Sequence, residues 1–396
     1  MLGVKKDILF KVLAIVVCVV IWLSYSISYF WVEKPKPNQD IVISQTIGSG
    51  RWEVVSGGLL RDIRRIAFDN NGKRGVAVSL EGHLLSSEDG GLTWDIAGKM
   101  SFSEDGETWS DDPEMELINA LAITDKGLFI GTAVDESSYG AIYQLDSSGK
   151  WRVQAGNYGG LLAASNNSVM IGSKGLMIKL LPNLANNQNS QNGQNSQNKQ
   201  VKRSGVNTNT TSSFNAKTRI IDSQNIAFQQ LPLWAQINLY SIDQKDENLL
   251  IAGDYGIVCN STDSGKSWKN ISPDKANKLP LYGAVLGNEI GLVGGSGGSF
   301  WRLNKTTGVW QKITGLKKSL TIFAIYADKE GHCVAGGGDE VGNSPFIVYS
   351  SDNGLSWQYE LIPQNYGRVV SVAKSANGVF VATLDGHILL RKNNIK

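Results

Sequence analysis

Beyond residue 50 the apolar positions fall in short alternating or continuous runs, each closed by Gly, Asn or Asp. Runs such as 75–78 (Gly-Val-Ala-Val), 249–253 (Leu-Leu-Ile-Ala-Gly) and 379–382 (Val-Phe-Val-Ala) have the length and bounding residues of strands rather than helices. Two stretches break the pattern. Residues 12–32 carry no charge and are long enough to cross a bilayer as a helix. Lys5, Lys6 and Lys11 precede this run, and Trp22, Tyr25, Tyr29, Phe30 and Trp31 crowd its far half, where aromatic rings favour the membrane interface. Conversely, residues 186–216 are Asn/Gln-rich and nearly free of apolar side chains, so burial cannot offset the entropy of ordering them. This predicts a cytoplasmic N-terminus (1–11), a transmembrane signal anchor (12–32) and a short tether containing Pro35 and Pro37 (33–45). An all-β body (46–396) follows, with a disordered insertion at 186–216. The protein is expected in the cell (inner) membrane as a single-pass protein, its body on the periplasmic, extracellular or lumenal side. Cleavage of the segment as a signal peptide, with Ser26 and Ser28 as the small residues before the cut, is the competing outcome.

One phrase recurs. Ser87 to Trp94, Ser261 to Trp268 and Ser350 to Trp357 all read Ser-x-Asp-x-Gly-x-Thr/Ser-Trp. Asp89, Asp263 and Asp352 supply acceptors that close a tight turn on nearby backbone N–H groups. Gly91, Gly265 and Gly354 supply a positive φ. Trp94, Trp268 and Trp357 open the next strand with a large apolar ring. The turns resemble the Asp-box of sialidase-like propellers, where it is structural and lies at the edge of each blade.

Tryptophans at 52, 94, 151, 268, 310 and 357 are spaced by 42, 57, 117, 42 and 47 residues. The long interval fits two units plus the insertion, with Phe228 as the missing marker. The chain ends after three strands of a unit and begins, at Trp52, with an orphan fourth. The expected architecture is a seven-bladed β-propeller with Asp-box turns, closed by the N-terminal strand and preceded by a single transmembrane helix.

Charge changes the picture little overall: the net charge is +2, which gives no footprint for nucleic acid. Three histidines, His83, His332 and His387, are too scattered for a metal site, and no cofactor motif is present. Cys259 and Cys333 fall in different units and are expected as buried free thiols. The acidic run Asp111, Asp112, Glu114 and Glu116 reads as a solvated loop. Basic residues do concentrate before the first strands of units: Arg61, Arg64 and Arg65, Lys317 and Lys318, and Arg368. In a propeller those loops share one face, so these side chains form a candidate basic ring for docking an acidic peptide of a protein partner or anionic headgroups.

The segments 52–57 (Trp-Glu-Val-Val-Ser-Gly), 64–68 (Arg-Arg-Ile-Ala-Phe), 75–78 and 81–94 resemble the Ycf48/HCF136 family of photosystem II assembly factors. The resemblance covers residues 51–396 apart from the insertions. It implies a non-catalytic propeller that helps membrane subunits into a complex through an arginine-rich face. The reading is therefore a membrane-anchored assembly or stability factor that binds a protein. A glycan-binding or sialidase-like protein is the alternative. Against it, Arg65-Ile66-Ala67 lacks the aromatic residue and proline of the sialidase arginine motif.

Overall fold

The computed structural model describes residues 40–80, 82–100, 117–125, 127–133, 139–145, 149, 151–165, 169–180, 226–273, 278–339, 344–362 and 366–392. Within them the β-branched runs form strands, and Gly-, Asn- and Asp-rich stretches form the turns. A long N-terminal strand, β1 (Ile41–Ser56), comes first. Four groups of four antiparallel strands each form a separate sheet. They are β2 (Ile63–Phe68), β3 (Gly75–Ser79), β4 (His83–Ser87) and β5 (Asp95–Lys99); β6 (Leu117–Thr124), β7 (Gly127–Ala133), β8 (Tyr139–Leu145) and β9 (Trp151–Gly159). Next come β10 (Leu161–Ala164), β11 (Val169–Gly172), β12 (Leu176–Leu180) and β13 (Ile226–Gln230); then β14 (Leu239–Lys245), β15 (Asn248–Gly253), β16 (Val258–Ser261) and β17 (Lys269–Asn270).

The remaining strands are β18 (Leu281–Leu286), β19 (Ile290–Gly295), β20 (Phe300–Asn304) and β21 (Val309–Thr314); β22 (Leu320–Ala327), β23 (Cys333–Asp339), β24 (Phe346–Ser350) and β25 (Trp357–Leu361); and β26 (Val369–Lys374), β27 (Val379–Thr383) and β28 (Ile388–Lys392). All of these join β1 in one twelve-stranded sheet.

Two expectations are thereby corrected. The tryptophan spacing predicts seven separate blades, whereas hydrogen bonding divides the structure into five sheets. The reason lies in β1. Its C-terminal half pairs antiparallel with β28, its middle runs parallel to β25, and Ile41 and Val42 run parallel to β21. One strand thus stitches three strand groups together. The second correction concerns the membrane. The expected anchor, 12–32, lies outside the described residues, as do the insertion 186–216 and the acidic run after residue 110. Among the described residues no helix is long and apolar enough to cross a membrane. The single-pass membrane placement is therefore not carried forward.

The first strands of the groups neighbour one another in the order β2, β6, β10, β14, β18, β22 and β26, and β26 returns to β2. They enclose a central channel, the defining feature of a β-propeller. Apolar cores fill the spaces between successive sheets. Trp94 meets Phe68 edge-on, with centroids 5.9 Å apart, and shares a core with Phe380 of β27. Trp357 packs on Phe300 of β20 at 4.9 Å, and Trp268 packs against the cluster holding Met177 of β12. Each of these rings therefore seats its own strand group on the preceding one. Cys259 and Cys333 are free and buried, and burial pushes both thiols up to about 12.

The three repeated turns share one hydrogen-bond pattern. The Ser87 hydroxyl donates to Asp89 Oδ1 at 2.8 Å and accepts from the Gly91 N–H at 2.8 Å. Asp89 also accepts from the Leu92 and Thr93 N–H groups at 3.0 Å and from the Thr93 hydroxyl at 2.7 Å. The Trp94 indole N–H closes the turn on the Gly91 carbonyl at 2.9 Å. Gly265 and Gly354 receive Trp268 and Trp357 in the same way, at 3.1 and 3.0 Å. At Gly91 φ is +90°, and a Cβ would lie 2.7 Å from the Phe380 ring. Glycine is required there twice over, for conformation and for room.

Candidate functional site

The site is the end of the channel at which β2, β14, β18, β22 and β26 begin. At or near its start each of these five inner strands carries a fully buried aliphatic residue: Ile63, Leu239, Leu281, Ile322 or Val369. Immediately afterwards the register slips by one residue. Such a bulge re-aims the extra side chain. That extra residue is Arg64 in β2, Tyr240 in β14, Tyr282 in β18 and Phe323 in β22. A cavity of about 880 Å³ occupies the channel, lined at this end by Arg65, Tyr240, Tyr282 and Phe323.

Of the six basic residues expected on this face, the structure brings three together. Arg368 lies close enough to lower the tendency of Arg64 to hold a proton. Burial is the larger cause of the Arg64 shift, Arg368 adds to it, and the Asp62 carboxylate opposes it. Arg65 lies below the rim, where among the described residues its guanidinium donates only to backbone carbonyls: Arg64 at 3.0 Å and Leu162 at 3.1 Å. Burial, and then the Arg64 charge, push its pKa down to about 10. The Nε atoms of Arg64 and Arg368 are buried without a hydrogen-bond partner among the described residues. Arg368 lies over the Phe323 ring, 4.5 Å from its centroid, and packs against Gly338, where a Cβ would fall 2.5 Å from its own. No ion pair among the described residues neutralises this trio.

Arg61, Lys317 and Lys318 are exposed in the loops before β2 and β22. No hydrogen bond, ion pair or ring contact among the described residues ties them to the trio. The three turn motifs built on Asp89, Asp263 and Asp352 sit between third and fourth strands, at the opposite end of the sheets. They hold structure there and do not reach the mouth. His387, also near the mouth, pairs with Asp385 at 3.1 Å and packs at a tilt against the Tyr366 ring, with centroids 4.0 Å apart. Among the described residues no group of three or more His, Cys, Asp or Glu could hold a metal ion.

Sequence reasoning missed the aromatic side of the mouth. Tyr240 and Tyr282 lie 4.9 Å apart and Tyr282 and Phe323 5.5 Å apart, so Arg368, Phe323, Tyr282 and Tyr240 form one continuous series around the wall. The signal was present: an aromatic residue follows the first aliphatic position in Leu239-Tyr240, Leu281-Tyr282 and Ile322-Phe323. Alternation alone assigns these rings to the side opposite that aliphatic residue, but only the bulge turns them toward the channel.

No protein-family profile matches the chain, and no curated protein matches it. Among solved structures it is similar to YCF48 from Cyanidioschyzon merolae, at 13% identity and a TM-score of 0.56, over 85% of this chain and 98% of that one. YCF48 bound to the D1 peptide is similar at 13% identity and a TM-score of 0.54, over 90% of this chain and 100% of that one. The WD40 β-propeller domain of Doa1 matches at 13% identity and 0.52, over 87% and 98%. These likenesses establish the β-propeller fold.

Proposed function

We propose that this chain is a non-catalytic, protein-binding propeller of Ycf48-like type. It docks an acidic segment of a partner at its arginine-lined mouth and acts as an assembly or stability factor for a complex. The carrying observation is the convergence of Arg64, Arg65 and Arg368 with no ion-paired carboxylate among the described residues. Burying positive charge without a counter-charge is costly, and an incoming carboxylate relieves that cost with charge-assisted hydrogen bonds. Two further points support the reading: the sequence resemblance over 51–396, and the peptide held by the structurally similar YCF48.

The test is binding of labelled short peptides, matched in length and differing in Asp/Glu content, followed by fluorescence anisotropy. Acidic peptides should bind, and raising salt should weaken them. Replacing both Arg64→Gln and Arg368→Gln should reduce affinity about tenfold or more, while Lys99→Gln on the outer strand β5 should change it by less than about twofold. Lys317→Gln and Lys318→Gln, at exposed residues with no bond to the trio among the described residues, should have small effects carried by long-range attraction. Undiminished binding by the folded double arginine variant would sink the proposal.

A further inference from the structure

We infer that the docked segment is an extended peptide carrying a large apolar or aromatic side chain within about two residues of its carboxylate, the apolar side chain lying on the Phe323–Tyr282–Tyr240 wall. This rests on the docking function proposed above and specifies its partner. The wall begins where the arginines end, since Arg368 sits 4.5 Å from the Phe323 centroid. An extended chain advances about 3.3 Å per residue, so a carboxylate held by the arginines places a side chain one or two residues away over these rings. All three rings are only partly buried and face the cavity.

The loops flanking the strands of the wall also expose apolar side chains. Leu233 is 85% exposed, and Trp234 lies beside it in the loop leading into β14. Leu279 precedes β18 and lies against Gly297. Tyr255, 63% exposed, occupies the turn between β15 and β16, which hydrogen bonds place beside the start of β14: the Asp254 N–H donates to the Asn238 carbonyl. Its φ is +57°, a region that bulky residues avoid. The equivalent position between β19 and β20 is Gly297, with φ of +68°. Lys174 takes the same conformation between β11 and β12, with φ of +54°, so the strain belongs to this turn; what sets Tyr255 apart is its large exposed ring.

The mouth therefore has a cationic side and an apolar side in direct contact. A lipid headgroup does not match it, because Arg65 lies beneath the rim and a bilayer surface stays outside. A sugar does not match Leu233 and Leu279, which offer nothing to hydroxyl groups. An extended peptide meets both sides at once.

The experiment uses two labelled acidic peptides, identical except for Phe or Ser two residues from the carboxylate pair, and a sialylated oligosaccharide as a third probe. The wild-type chain should prefer the Phe peptide by about tenfold. Tyr282→Ala and Tyr255→Gly should both shrink that preference. Tyr255→Gly also removes the strained φ, so its thermal stability should hold or rise, which separates lost binding from lost folding. If both peptides bind equally through the arginines, this inference fails while the acidic-docking function stands. If neither peptide binds, or only the oligosaccharide does, both fail together.

Discussion

Asp89, Asp263 and Asp352 each hold a turn by accepting several hydrogen bonds while ionised. The Thr93 hydroxyl and N–H are the main causes that hold Asp89 down at about 2. Asp263 is lowered likewise, chiefly by the Ser267 hydroxyl. For Asp352 burial pushes upward but is outweighed by the Ser356 hydroxyl and N–H together with Ser350 and Leu355. A carboxyl group with a folded pKa below its unfolded value of about 3.9 stabilises the fold above that value. The contribution disappears as pH falls through the folded pKa. The turns should therefore weaken between about pH 4 and pH 2. Asp243 runs the other way, raised by burial despite accepting from the Leu286 N–H at 2.8 Å, so acid relieves it. Tryptophan fluorescence of wild type and Asp89→Asn across this range is the check: the variant should start less stable and lose less on acidification. Parallel acid curves would contradict the assignment.

Among the elements, β1 is the most consequential. Glu360 of β25 has no exposed side-chain surface, and it accepts from the Trp52 indole at 2.8 Å and from Arg391 of β28 at 2.7 Å. Arg391 in turn lies over the Tyr349 ring at 3.6 Å. One carboxylate thus ties the first strand, the last strand and the neighbouring strand group together. Removing one member strands its partners: Glu360→Ala leaves a mostly buried guanidinium and a buried indole N–H, at a cost of about 3–5 kcal/mol. Trp52→Phe loses the hydrogen bond but keeps a ring, and should cost less, about 1–2 kcal/mol. Urea denaturation of the two single variants and the double variant measures the coupling; simple additivity would mean that the three groups do not act as a unit.

At the scale of the whole molecule, ring closure depends on segments far apart in sequence. Ile41 and Ile43 are buried with Phe300, Ile313 and Trp357, so a chain starting after residue 50 loses two core side chains, about 3–6 kcal/mol. A chain starting after Ser56 also loses Trp52 and the strand paired with β28, and leaves a long open edge. The shorter truncation should unfold cooperatively at lower denaturant. The longer one should unfold without a single transition or associate through its edge. Size-exclusion chromatography and denaturation of both would show it, and indistinguishable behaviour would contradict a closing role for the strand.

The strands, the repeated turns and the unmatched strand at Trp52 were legible because they rest on local chemistry: alternation, Asp acceptors, and glycine where φ is positive. The arginines were legible as residues before inner strands, but not which of them converge. Arg64, Arg65 and Arg368 meet because a bulge follows Ile63 and because β26 packs beside β2, whereas Arg61, Lys317 and Lys318 remain in solvent. The same bulges turn Tyr240, Tyr282 and Phe323 into a wall. The sheet count also escaped local reasoning. Residue spacing measures units along the chain, while the number of sheets depends on which edges find partners. Sequence by itself determined the strands and their turns, since neighbours in the chain supply those hydrogen bonds. Tertiary structure decided the five-sheet arrangement and the two-sided mouth, since only packing brings β1 to three strand groups and sets guanidinium groups against aromatic rings.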